Sequence, residues 1–334
     1  MSTERPVRRA ALLKGKRHLA FDPVQRWFEG ADRQRAMRAL RVHLRAGRPV
    51  FLHTLRWSQP NRFLEDVAAD VSLGTPRIEA RVLSVAPVSG KGALQAWSWL
   101  MSALTPLLGR SEARGFAQAV SREGYRTRFR HLLAGESAGP VRGLFLTGLE
   151  HLHFDVVRDL VDIVQAAAAD AEGPARVVVV LAGAVEPRLP DSWISLTLPD
   201  YGAAEAGEAI VEIAGPNPCA SLPAVHRAFG GVPAMVERLA AEGPRGLTEV
   251  LEHRDAVWRR LGPLGIELRG AFTIVQSDTA LGLRLEALAQ GTLPTVPELD
   301  RRLARAGLVR IAHRRGRAET VLRMPLLLDL VDTA

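Results

Sequence analysis

Residues 49–71 read PVFLHTLRWSQPNRFLEDVAADV. An apolar run (Val50, Phe51, Leu52) leads into a polar loop, and a helical pattern begins near Arg62. Strand, loop and helix in that order form the frame in which G-x-x-x-x-G-K-[ST] binds phosphate: the glycines let backbone N–H groups wrap the anion and the lysine offsets its charge. This loop has neither glycine nor lysine. Other chemistry-bearing residues are sparse. Glu150 follows an apolar run and, taken alone, reads as a helix-entry or surface acid. His151 and His153 sit two apart with no Cys or His cluster nearby, so no metal-ligand spacing is read. The single Cys219 rules out an internal disulfide and reads as a small hydrophobe rather than a nucleophile. Gly90-Lys91, in VSGKGALQAW, imitates a phosphate loop. However, Val85 stands where the first glycine belongs and Gly92 where Ser/Thr belongs, so a plain turn between strand and helix is the better reading.

The elements that must position these residues come from an ordinary globular composition: 334 residues, 47% apolar and 24% charged. The longest clear apolar run, Val177 to Val185, falls far short of the ~20 residues that span a bilayer. The basic N-terminus lacks an apolar h-region, so neither membrane nor export is expected and a cytoplasmic location is. The net charge of +8 is uneven. Residues 1–48 carry 13 Lys/Arg against 4 acids, residues 296–323 carry 8 Arg against 3, and residues 49–295 carry 23 against 27. Both ends could meet a polyanion.

Along the chain, residues 1–22 read as a basic arm. A helix is expected over Asp32–Arg45, ended by Gly47 and Pro49. Strands follow at 50–53, 78–85, 144–146, 177–181 and 194–198, with helices near 62–71, 93–108 and 154–169 and a polar stretch over 110–140. Strands alternating with helices build a mostly parallel α/β sheet covered on both faces. After residue 200 the pattern is helical, near 203–212, 222–229 and 233–241. The last residues read as short helices and two strands around Arg315-Gly316.

This order of elements resembles the AAA+ and STAND branch of P-loop ATPases, especially relatives of origin-recognition initiators that end in a winged helix. WFEGADRQRAMRALRVHLRAGRPVFLHT is similar to the segment preceding the family's first strand, with Phe28 and Gly30 matching and Ala31 in place of arginine. On the phosphate-loop frame, Thr54 and Gln59 replace the glycines, Pro60 the lysine and Asn61 the hydroxyl residue. RGLFLTGLEHLH is similar to a Walker B strand, with Thr147 at the position of the Mg²⁺ aspartate and Glu150 where an acid often stands. VVVVLAGA resembles the sensor-1 strand without its polar residue. GGVPAM is similar to the G-x-P lid motif, through Gly231 and Pro233.

The resemblance implies a P-loop NTPase-like domain over 23–200, a helical lid over 201–262 and a winged helix over 263–334. In the last, Arg301, Arg302 and Arg305 lie on the exposed side of the helix from Pro297, and Arg314, Arg315 and Arg317 crowd the hairpin tip. The expected function is a catalytically inactive ATPase-like scaffold or regulator, without cofactor, that binds a protein partner such as an active relative, with DNA a further ligand of the winged helix. Two alternatives stay open. One is a divergent ATPase that holds ATP and Mg²⁺ with Arg56, Arg62 and Glu150; the other is a DNA-binding initiator- or transcription-linked protein.

Overall fold

The computed structural model describes residues 32–104, 121–134, 141–169, 177–185, 187–215, 222–291, 293–314 and 317–324. The chain separates into two compact units. The sheet unit comprises Gln34–Thr54 and Gln59–Leu198. The helical unit comprises Leu55–Ser58 and the chain from Pro199 on, with Arg33.

In the sheet unit five parallel strands, β1 (Val50–His53), β2 (Ile78–Ser84), β3 (Val141–Thr147), β4 (Val177–Gly183) and β5 (Ile194–Thr197), lie in the order β2-β3-β4-β1-β5. Side chains alternate between faces along each strand. Val50 and Leu52, Phe145, Val178 and Val180 pack with Leu40 and Leu44 of α1 (Asp32–Arg45) and Phe63, Leu64 and Val67 of α2 (Pro60–Ser72). Phe51, Leu144, Leu146, Val179 and Leu181 pack with Trp97 and Leu100 of α3 (Ala93–Leu104), Phe129 of α4 (Arg122–Ala134) and Leu160 of α5 (Phe154–Ala169). Burial on both faces is why β4 reads as an unbroken apolar run. Gly47, at φ 68°, ends α1: its N–H bonds the Leu44 carbonyl and the Arg48 N–H bonds that of His43, the pairing of a Schellman cap.

Three details differ from the sequence reading. Helix α2 starts at Pro60, two residues early, because the proline ring presets helical φ at a first position whose N–H is not needed. Strand β3 begins at Val141; there Gly143 admits Ala80, whose Cβ would lie 2.7 Å from an added Cβ. The polar stretch over 110–140 contains α4, which buries Tyr125, Phe129 and Leu133 at four-residue spacing. Beneath α4 the Asp159 carboxylate, almost wholly buried, takes Arg122 Nε at 2.6 Å and Nη2 at 2.8 Å and the Trp97 indole N–H at 3.3 Å. Burial pushes its pKa up, but the bonds from Arg122 and Trp97 and the nearby Arg126 outweigh burial and hold it below the usual range.

The helical unit contains α6 (Ala203–Ala214), α7 (Leu222–Phe229), α8 (Pro233–Ala240), α9 (Gly243–Glu252), α10 (Arg254–Leu261), α11 (Pro263–Ser277), α12 (Thr279–Ala289) and α13 (Pro297–Arg305). Strands β6 (Leu293–Pro294), β7 (Val309–Arg314) and β8 (Arg317–Leu322) form an antiparallel sheet in the order β6-β8-β7. One apolar cluster runs through the unit from Tyr201 to Met324 and includes Met235, Val257, Phe272 and Leu303. Asp278 caps α12 by accepting from the N–H groups of Ala280 and Leu281. Asp300, fully buried on α13, accepts from Arg284 twice at 2.8 Å, from the Val296 N–H and from the Thr320 hydroxyl. The basic arm, Phe28, Gly30 and Ala31, Cys219, the hairpin tip Arg315-Gly316 and the residues after Met324 lie outside the described residues. Among the described residues no helix is long and apolar enough to cross a membrane.

Candidate functional site

In a parallel sheet of this kind, ligands bind beyond the carboxyl ends of the strands. In the sheet unit those ends are joined to one another. Thr54, the first residue after β1, donates its N–H to the Gly183 carbonyl at the end of β4 at 2.9 Å. At the end of β3 the Thr147 hydroxyl, buried, donates to the Asn61 side-chain oxygen in the first turn of α2. Glu150, in the 3-10 turn Leu149–His151, accepts the Ala184 N–H at 3.1 Å. The positions that would supply the two protein ligands of a Mg²⁺ ion are thus a neutral amide and a neutral hydroxyl bonded to each other. Mg²⁺ is a hard cation that is held through carboxylates, waters and substrate phosphates, and this donor set does not fit it.

Pro60 contributes no N–H and no charge at the start of α2, so it subtracts one donor from a helix end that would otherwise favour an anion. Gln59 nevertheless keeps a left-handed conformation, φ 51°, at the position of the second glycine. The loop therefore holds a glycine's backbone without the glycine, at a cost of about 1–2 kcal/mol for an L-residue. His151 and His153 face different partners, Ser89 Oγ at 3.3 Å and the Asp155 N–H at 3.2 Å. No group of three His, Cys, Asp or Glu able to hold a metal occurs among the described residues.

The middle of the same loop, Leu55–Ser58, is part of the helical unit, and its groups are engaged there. The Ser58 hydroxyl donates to the Leu55 carbonyl at 2.6 Å. Trp57 is left-handed, φ 66°, which is unusual for a bulky residue and persists only where its surroundings fix it. Its carbonyl accepts the Ala234 N–H at 3.1 Å and its indole N–H donates to Glu267 at 3.0 Å. Arg56 pairs with the same carboxylate at 3.2 Å and lies over the Trp57 ring at 4.9 Å. Ala234 is in the first turn of α8, where helix N–H groups lack intrahelical partners, so the loop carbonyl caps the helix of the G-V-P motif.

At the centre of this network is Arg323, a fully buried arginine. Its guanidinium grips Asp200 through Nε at 2.9 Å and Nη2 at 2.5 Å, and its Nη1 donates to the Arg56 carbonyl at 2.7 Å and the Gly307 carbonyl at 3.1 Å. Glycines let the backbone close around it. A Cβ at Gly230 would lie 1.5 Å from the Arg323 carbonyl oxygen, and one at Gly231 2.0 Å from that of Tyr201. Gly231 and Pro233 thus have a packing role: Gly231 admits the Tyr201 backbone, and Pro233 opens α8. His226 Nε2 also lies 3.2 Å from the Tyr201 carbonyl; burial lowers its pKa and outweighs the upward pull of that carbonyl, with Arg310 lowering it and Asp200 raising it to lesser extents.

On α13, Arg301, Arg302 and Arg305 are exposed, and Arg302 bonds Asp278 at 2.8 Å. Arg314 and Arg317 are register partners at the end of the β7–β8 hairpin. Sequence reasoning missed Asp200 and Arg323. Asp200 follows a strand at three residues' distance and Arg323 closes an arginine-rich stretch, and nothing local to either marks a pair 123 residues apart.

No protein-family model and no curated protein sequence matches the chain. Among solved structures it is similar to a Walker-type ATPase of Pyrococcus abyssi, with a TM-score of 0.56 and 12% identity, over 90% of this chain and 95% of that one. A STAND protein with a tetratricopeptide-repeat sensor from Pyrococcus horikoshii matches 89% of this chain at a TM-score of 0.46 and 11% identity; the match spans 42% of that protein. A RuvB variant of Thermotoga maritima matches 89% of this chain and 92% of its own at a TM-score of 0.43 and 14% identity. The fold is that of the P-loop ATPases.

Proposed function

We propose that this chain uses the P-loop ATPase fold as a binding scaffold and does not hydrolyse ATP. The observation that carries the reading is the hydrogen bond from Thr147 to Asn61, where phosphoryl transfer needs a Mg²⁺ site. Catalysis of that reaction is almost entirely positioning and charge stabilisation, and neutral groups at the metal and lysine positions supply little of either. Isothermal titration with Mg²⁺–ATP, paired with a phosphate-release assay, tests it. Neither binding nor turnover is expected, and micromolar binding with turnover refutes the reading. The divergent-ATPase alternative assigns Arg56 to phosphate, yet Arg56 already pairs with Glu267, so Arg56→Ala should leave phosphate release at the blank level.

What the scaffold binds is a protein partner, an active ATPase of similar fold among the candidates. A second reading, with the C-terminal elements acting as a winged helix on DNA, rests on the exposure of Arg301 and Arg305 on α13. It predicts duplex binding whose salt slope flattens by roughly 0.9 for each arginine removed.

A further inference from the structure

The outer side of α1 carries exposed positive charge. Between Asp32 and Arg48 the sequence has six arginines and one acid. Arg33 is buried, and Arg41 is committed to Asp70 at 2.9 and 2.8 Å. Arg35, Arg38, Arg45 and Arg48 are exposed, and Arg38, Arg45 and Arg48 form no ion pair among the described residues. Residues 35, 38, 42 and 45 fall on one helical stripe about 15 Å long, at 1.5 Å per residue. Only Val42, 64% exposed, interrupts the arginines. On the adjoining helix Asp70 is taken by Arg41.

We infer that this stripe is a phosphate-backbone surface for nucleic acid, separate from the arginines of α13. Three observations select the partner. The apolar side of α1 is spent on the core through Leu40 and Leu44, so the helix has no apolar face to sink into a lipid surface. No Phe, Tyr or Trp lies on α1 to stack on bases, so contact is with the backbone and carries no sequence preference. The 31 residues that precede α1 add seven Lys/Arg against three acids, extending the cationic sequence at the end where the stripe begins. Because α1 is held by its buried face and its Schellman cap, the arginines stand on a backbone already ordered before binding.

Fluorescence anisotropy of the full chain with a labelled duplex of about 30 base pairs, from about 50 to 200 mM NaCl, tests this. Arg38→Ala/Arg45→Ala/Arg48→Ala should weaken binding at least tenfold at the higher salt and lower the slope by about 2 to 3. The matching triple lysine variant should retain the slope, which separates charge from folding. Wild-type affinity in the triple alanine variant overturns the inference. So does absence of duplex binding at the lowest salt, or a preference for phosphatidylserine vesicles over duplex. Arg301→Ala/Arg305→Ala, run in parallel, reports on α13 alone. The scaffold reading is judged separately by Mg²⁺–ATP titration, so either idea can fail without the other.

Discussion

Two polar constellations invite comparison: the strand-end cluster of the sheet unit and the arginine network of the helical unit. In the first, Asn61 and Thr147 are neutral and bonded to each other at the place where a nucleotide enzyme concentrates charge. In the second, Arg323 and Asp200 form a fully buried ion pair, and Arg323 also bonds backbone carbonyls of the loop and of Gly307. The contrast is one of placement: the charged pair sits where it holds structure, in a place that makes any unpaired partner costly.

The largest effect should come from breaking the charged constellation. Arg323→Met leaves Asp200 buried and unpaired, and urea unfolding should show a loss of about 3–5 kcal/mol. The double change Arg323→Met/Asp200→Leu should recover part of that loss, and strict additivity would show that the two do not act as a pair. Next, Gly231→Ala should cost at least about 2 kcal/mol, from a left-handed φ of 74° and a Cβ driven into the Tyr201 carbonyl; thermal denaturation reads it. In the neutral constellation, Thr147→Val should cost only about 1 kcal/mol, one hydrogen bond, with no change in nucleotide titration. A change there would place a ligand at the strand ends. Smallest, and opposite in sign, Gln59→Gly should stabilise the protein by up to about 1 kcal/mol, because glycine adopts the left-handed φ of 51° without steric cost. If Gln59→Gly destabilises instead, the loop depends on that side chain.

The two constellations were unequally legible in the sequence. The missing glycines, lysine and aspartate are local facts, so Thr54, Gln59, Pro60, Asn61 and Thr147 could be named from the motif frame. Helices α1 and α5 carry clear apolar stripes, and their ends fall where the sequence reading placed them. Helix α4 went unread because its charged residues mask Tyr125, Phe129 and Leu133, although their four-residue spacing was available. The bond between Asn61 and Thr147, 86 residues apart, and that between Asp200 and Arg323 depend on chain crossings that no local window contains. The engagement of Leu55–Ser58 was hidden for the same reason: Glu267 and Ala234 carry no mark of their partners.

Arg323 also sets a timetable for biogenesis. The carbonyl it clasps on Arg56 lies 267 residues upstream. At a synthesis rate of about 5–20 residues per second, some 13 to 53 seconds pass between the emergence of the two. Throughout that interval the nascent Leu55–Ser58 segment, with its tryptophan, lacks the guanidinium that later holds its backbone.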